Sequence, residues 1–215
     1  MPPVMETAPT PAPEADAPPD LAGMRQAIIA PLGQRSIVFI GMMGAGKTSV
    51  GRRVALSLGL PFADADAAIE EAAGMSIPEM FKLHGEQSFR DGERRVIQRL
   101  LNTPRQVIAT GGGAYMNADT RAAIAARGVS VWLTAEFDLL IKRVRRRVNR
   151  PLLQSADPET VLRRLIDERY PTYALADLTV RSSDVPQDVM GQTVIAALAE
   201  YFAAVQPPAA SACGA

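Results

Sequence analysis

The stretch SIVFIGMMGAGKTSVG, Ser36 to Gly51, decides the fold. Its first five residues form a continuous β-branched and aromatic run, the signature of a strand covered on both faces. From Lys47 the pattern becomes KTSVGRRVALSLG, a helix closed by Gly59. Between the two, Gly41, Gly46, Lys47 and Thr48 satisfy G-x-x-x-x-G-K-[ST]. A strand, a glycine-bearing loop and a helix start in that order turn successive backbone N–H groups inward around an anion. Glycine is needed where a side chain would collide or the backbone must turn unusually. Lys47 then reaches the terminal phosphates of a nucleoside triphosphate, and the Thr48 hydroxyl is placed to ligate Mg²⁺. A turn that binds nothing would not need the lysine and threonine in register.

Working outward, strand-like runs alternate with helical stretches. PFAD (61–64), QVIA (106–109), VSVWL (129–133) and DLTV (177–180) join SIVFI as strands. Helices are expected around 65–102, 117–127, 136–148, 158–169 and 186–204. Apolar strands separated by helices imply an α/β domain with a five-stranded parallel sheet covered on both faces. The ends differ in composition. Residues 1–20 carry seven of the chain's 17 prolines and four acids, with no Lys or Arg. The expectation is therefore a disordered Pro/Ala/acid-rich tail over 1–32, one folded domain over 33–205 and a frayed tail over 206–215.

Bulk charge adds little. Lys plus Arg and Asp plus Glu are 23 each, and removing the acidic first twenty residues leaves a surplus of four. No global field recruits nucleic acid or an acidic membrane. No apolar stretch approaches the roughly 20 residues of a transmembrane helix. The single cysteine, Cys213, is the third residue from the end, so a cytoplasmic setting is the simplest. Neither a secretory signal nor a transit peptide is evident.

The acceptor of the phosphate has to be sought elsewhere. Asp64 and Asp66 stand where the second strand ends, and two residues apart along a strand they would share a face. One could hold a metal-bound water and the other a substrate hydroxyl; a helix cap is the plain alternative for one of them. Arg90, in GEQSFRDGE, would by composition alone be a surface ion-pair residue. Gly111, Gly112 and Gly113 follow the third strand, where close backbone approach to a ligand is a better account than a simple turn. Six basic residues fall between Lys142 and Arg150. A solvated or nucleic-acid-binding face and a set of mobile arginines closing over a γ-phosphate are equally good readings of that run.

In combination, GMMGAGKTSVGR, the DAD of Asp64 to Asp66, GEQSFRDGE, ATGGGA, RPLL and RYPTYALAD resemble the shikimate kinase family, over about Ser36 to Phe202. The resemblance implies a three-layer α/β/α P-loop fold of the nucleoside monophosphate kinase-like group, with a mobile lid about 145–158. It implies ATP-dependent phosphorylation of the shikimate 3-hydroxyl, with Mg²⁺, by a monomer acting on two small molecules. Gly44, Ala45, Gly46, Lys47, Thr48 and Ser49 would bind ATP phosphates, with Arg143 over the adenine. Arg90 and Arg169 would pair with the shikimate carboxylate, and Asp66 with its hydroxyls beside Gly111, Gly112 and Gly113. Asp64 would reach Mg²⁺ through water, Thr48 directly, and Arg150 would contact the transferring phosphoryl. Lys47, Asp66 and Arg150 would then be the catalytic set.

Some residues depart from the family pattern. The loop reads GKTS rather than GKST, Thr172 replaces a common leucine, and Gly92 interrupts a presumed helix. A gluconate kinase of the same fold is the nearest rival. A guanine-nucleotide switch is disfavoured because no Asn-Lys-x-Asp occurs. His84 before Gly85, Trp132, Tyr170 and Tyr173 read as structural.

Overall fold

The computed structural model describes residues 21–145 and 157–205. Its five strands are β1 (Ser36–Ile40), β2 (Phe62–Asp64), β3 (Val107–Ala109), β4 (Gly128–Ala135) and β5 (Leu178–Ser182). All neighbouring pairs are parallel, in the order β2-β3-β1-β4-β5. β1 is central and every one of its residues is buried. This is why its sequence is a run of apolar residues rather than an alternation.

The helices are α1 (Leu21–Leu32), α2 (Lys47–Leu58), α3 (Ala65–Ala73), α4 (Ile77–Asn102), α5 (Ala118–Arg127), α6 (Phe137–Arg145), α7 (Pro158–Tyr173) and α8 (Gln187–Val205). Strand order and handedness fix their layers. The chain leaves β1 through α2 toward β2, and passes from β3 through α5 toward β4, in the opposite direction along the sheet. Right-handed crossovers in opposite directions put α2 and α5 on opposite faces. α1 and α8 pack with α2, and α4 with α5, giving three layers. The result is the five-stranded, three-layer P-loop architecture expected from the sequence.

Several caps stop or start these helices where the sequence says they should. Ser76 and Glu79 form a reciprocal capping box at the start of α4. Gly59 and Gly74, in the left-handed region, end α2 and α3. Within α4, Gly85 (φ 76, ψ 172) breaks the helix immediately after His84, so the segment is two helices meeting at a kink. At the far side of the sheet, Asp177 accepts from the Ser130 N–H and hydroxyl at 2.8 and 2.6 Å. That contact ties the start of β5 to β4.

Two expectations are corrected. Residues 21–32 are not tail: LAGMRQAIIAPL is helix α1, with Ile28 and Leu32 fully buried. Met24, Ile28 and Leu32 recur at helical spacing, and the Pro/Ala/acid composition upstream masked that period. Secondly, α8 is long and apolar enough, by length and composition, to cross a membrane. It packs instead on α1, α2 and β5, burying Met190, Val194, Ile195, Leu198 and Phe202. Residues 1–20, the lid expected at 145–158 except for its end residues, and 206–215 with Cys213 lie outside the described residues.

Candidate active site

The chain turns out of β1, β2 and β3 at the same edge of the sheet, and the three turns make the site. The first is the phosphate loop. Gly41, Gly44 and Gly46 adopt φ 131, 84 and 102, values open to glycine and strained for other residues. A side chain at Gly41 would also strike the Leu133 carbonyl oxygen, which lies 2.5 Å from the place its first carbon would take. Gly46 caps α2 without any side-chain partner, leaving the helix start to face the loop's concavity. Lys47 is buried and its Nζ donates to the Gly41 and Met42 carbonyls at 2.8 and 3.0 Å. An open cavity of about 410 Å³ is lined here by Gly44, Gly46, Lys47, Thr48, Ser49 and Arg143, among others. The Arg143 guanidinium bridges the Gly44 carbonyl (3.3 Å), the Ser182 hydroxyl (3.0 Å) and the Ser183 carbonyl (2.7 Å). It thereby joins the phosphate loop to the turn after β5.

The second turn carries the aspartates. Asp64 ends β2 and does two things at once. Its Oδ1 accepts from the Asp66 and Ala67 amides, capping α3, and its Oδ2 accepts from the Thr48 hydroxyl at 2.8 Å. Capping and proximity to Thr48, the threonine expected to ligate the metal, looked like alternatives and are combined in one carboxylate. The expectation that Asp64 and Asp66 share a strand face is wrong. β2 stops at Asp64 and Asp66 lies in the first turn of α3, so helical geometry directs it.

The third turn explains three consecutive glycines by space. None of Gly111 to Gly113 has positive φ. A methyl carbon on Gly111 would lie 2.8 Å from both Asp66 Oδ1 and Glu93 Oε1. One on Gly112 would lie 3.4 Å from an Arg169 nitrogen, and one on Gly113 would lie 2.5 Å from Arg90 Nη1. The loop is thus pressed against the very groups expected to hold the acceptor. Asp66, Arg90 and Arg169, brought from α3, α4 and α7, converge on it.

The electrostatics of this cluster are asymmetric. Glu93, 3% exposed, accepts from Arg90 Nη1 at 2.8 Å. Burial pushes its carboxyl above the usual range, only partly opposed by Arg90, with Asp66 adding to the rise. For Arg90, burial works against the charged form, yet Glu93 and Glu86 together hold its pKa above the ordinary value. Arg169 is buried. Beneath it, Tyr173, fully buried, donates to the Gly112 carbonyl and bonds with Arg169. Burial pushes the Tyr173 phenol up to about 12. Trp132 packs edge-on against Tyr170, with ring centroids 5.0 Å apart. An open cavity of about 430 Å³ is bounded by Arg90, Glu93, Gly113, Arg169 and Glu86, among others.

Every predicted site residue within the described chain is thus at one edge of the sheet, in or beside these two cavities; Arg150 lies outside the described residues. Sequence reasoning missed Glu93 and Glu86. Glu93 had a signal: it interrupts the apolar face formed by Phe89, Val96 and Ile97, and an acid on a buried face requires a partner.

Comparison with known proteins agrees with this geometry. The shikimate kinase family model matches residues 43–199. A shikimate kinase of Bradyrhizobium diazoefficiens is 56% identical over 185 residues, covering 85% of this chain and 89% of the relative. That of Rhodopseudomonas palustris is 55% identical, covering 84% and 89%. Among solved structures, shikimate kinase from Acinetobacter baumannii in complex with shikimate superposes with TM-score 0.74 at 38% identity, covering 77% of this chain and 93% of that one. A gluconokinase from Sinorhizobium meliloti, at 19% identity and TM-score 0.56, shares the fold alone. With a family model across most of its folded length and relatives above half identity, this chain belongs to the shikimate kinase family.

Proposed function

We propose that this protein transfers the γ-phosphoryl group of ATP to the 3-hydroxyl of shikimate, yielding ADP and shikimate 3-phosphate on the route to chorismate and the aromatic amino acids. The observation that carries the reading is the pairing of two cavities at one sheet edge. One is built on a phosphate loop and Lys47, the other on two arginines pressed against a triple-glycine turn. A small polyhydroxylated carboxylate suits the second: Arg90 and Arg169 take the carboxylate, and Asp66 takes the hydroxyls.

Phosphoryl transfer asks a protein mainly for positioning and charge neutralisation. Loop amides and the start of α2 hold the ATP phosphates, and Lys47 leaves its carbonyl partners to follow the γ-phosphate. Arg143 borders the nucleotide cavity and Arg150 contributes to the transferring group. Asp66 orients the 3-hydroxyl. The hydroxyl oxygen bonds phosphorus as the β–γ bridging bond breaks, and the hydroxyl proton passes toward Asp66. The residues fit Mg²⁺, since Thr48 and Asp64 offer oxygen donors 2.8 Å apart, a set that leaves room for the waters this ion keeps. Thr48 would hold the ion directly and Asp64 through water; bound there, it supplies charge neutralisation at the phosphates. We further read the enzyme as a cytoplasmic monomer without nucleic-acid or membrane partners, which light scattering and fractionation test.

ADP release measured with shikimate, gluconate and nucleoside monophosphates as acceptors tests the central proposal. Shikimate alone should support turnover, and Asp66→Asn should lower kcat by more than about tenfold. Preference for gluconate, or an Asp66→Asn enzyme with native kinetics, overturns it.

A further inference from the structure

One contact in the acceptor cavity has no part in the reaction as described. Arg90 gives Nη1 to the buried Glu93, while its Nε and Nη2 both donate to Oε1 of Glu86, at 3.3 and 3.0 Å. The Nε–Nη2 edge is one of the two edges on which a guanidinium receives a carboxylate with two parallel bonds. The other edge already has Nη1 on Glu93. The two acidic partners differ sharply in environment: the Glu93 side chain is 4% exposed, that of Glu86 61%. Glu86 also follows directly on the helix break at Gly85 and borders the cavity.

We propose that Glu86 is a specificity-determining residue, a built-in placeholder anion that covers the Arg90 edge until the acceptor's carboxylate displaces it. The proposal rests on the reading of Arg90 as the shikimate carboxylate clamp. The cavity holding Arg90 and Arg169 is also lined by Arg94 and by three carboxylates, Glu86, Glu93 and Glu168, with Asp66 beside it. Such a site is no open cationic hole, and a small inorganic anion gains little by entering it. Exchanging an exposed ion pair for another carboxylate costs little, because exposed pairs contribute little. A ligand that also brings ring hydroxyls to Asp66 and the glycine loop makes the exchange favourable; a bare anion lacks that second set of bonds. The buried Glu93 contact stays in place throughout and keeps Arg90 aimed.

The test uses the full chain with Glu86→Gln and Glu86→Ala. Shikimate dissociation constants are measured by calorimetry without nucleotide, together with the KM for ATP and inhibition by inorganic sulfate. Both variants should bind shikimate about two- to fivefold more tightly, the change expected from removing one exposed competing pair. Sulfate inhibition against shikimate should strengthen, and the KM for ATP should not move. Glu93→Gln, which removes the same charge from the buried side of Arg90, should weaken shikimate binding instead. Unchanged or weaker shikimate binding in both Glu86 variants overturns the proposal. If the native protein itself neither binds nor turns over shikimate, the underlying functional reading fails; if it does and the variants bind no tighter, only the placeholder fails.

Discussion

The phosphate loop and the acceptor loop both depend on glycine, for different physical reasons. In the first, Gly41, Gly44 and Gly46 are required by backbone conformation, all three lying at positive φ. In the second, none of Gly111 to Gly113 has positive φ, and glycine is required because carboxylates and guanidinium groups occupy the space of a side chain. One loop is a conformation that binds; the other is a surface cleared for neighbours that bind. The first requirement is local to a few residues, whereas the second depends on Asp66, Arg90, Glu93 and Arg169, drawn from three helices.

Alanine substitutions separate the two kinds of glycine, with the largest expected effects. Gly41→Ala combines positive φ with a carbonyl 2.5 Å from the new methyl, and neither can relax without moving β4. It should destabilise the fold by about 2–4 kcal/mol in denaturant unfolding. Gly113→Ala meets the far end of a flexible side chain, Arg90, at 2.5 Å. The fold should survive, the KM for shikimate should rise by about tenfold or more, and the KM for ATP should be unaffected, since a displaced charge-assisted contact is worth roughly 1.5–3 kcal/mol. Equal losses of stability in both variants would break the distinction between conformation and space.

That distinction also describes what the sequence could reveal. The strand–loop–helix motif, the five strands and the left-handed glycines were legible because each is decided within a few residues. α1 was lost because a short helical period, Met24, Ile28 and Leu32, adjoins a Pro- and Ala-rich segment whose composition dominates the window. The acceptor cavity was legible only through family resemblance. From composition alone Arg90 was a surface arginine, and nothing local to GEQSFRDGE tells that the helix buries Glu93 and turns Arg90 onto Gly113. The strand rule failed at Asp66 because α3 already begins at Ala65, before the alternation reaches it.

A smaller effect sharpens the acceptor side through pH. Tyr173 has its phenol raised from 10.0 to about 12, chiefly by burial. The protonated phenol is therefore favoured in the folded state. Its contribution is complete below pH 10 and is lost as pH rises from 10 through 12. A rise of that size corresponds to about 2–3 kcal/mol at most. Thermal melts of the native protein should fall more steeply above about pH 10 than those of Tyr173→Phe. The phenylalanine variant should also lose about 1 kcal/mol at neutral pH, from the bond to the Gly112 carbonyl. Parallel slopes for the two proteins would remove Tyr173 from the alkaline transition.

The smallest effect concerns Gly92, a glycine near the acceptor cavity that belongs to neither loop. Gly92 lies in the second half of α4, between Arg90 and Glu93, with only Met80 Cε near, at 3.9 Å, an ordinary contact. Neither a positive φ nor a crowded neighbour requires glycine there. Gly92→Ala should therefore stabilise the protein by about 0.5–1 kcal/mol, the helix-propensity difference, and leave both Michaelis constants unchanged. A gain in stability accompanied by a higher KM for shikimate would show that α4 must flex at this point to let Arg90 and Glu93 meet the substrate. In that case glycine would serve the acceptor side in a third way, through motion as well as conformation and space.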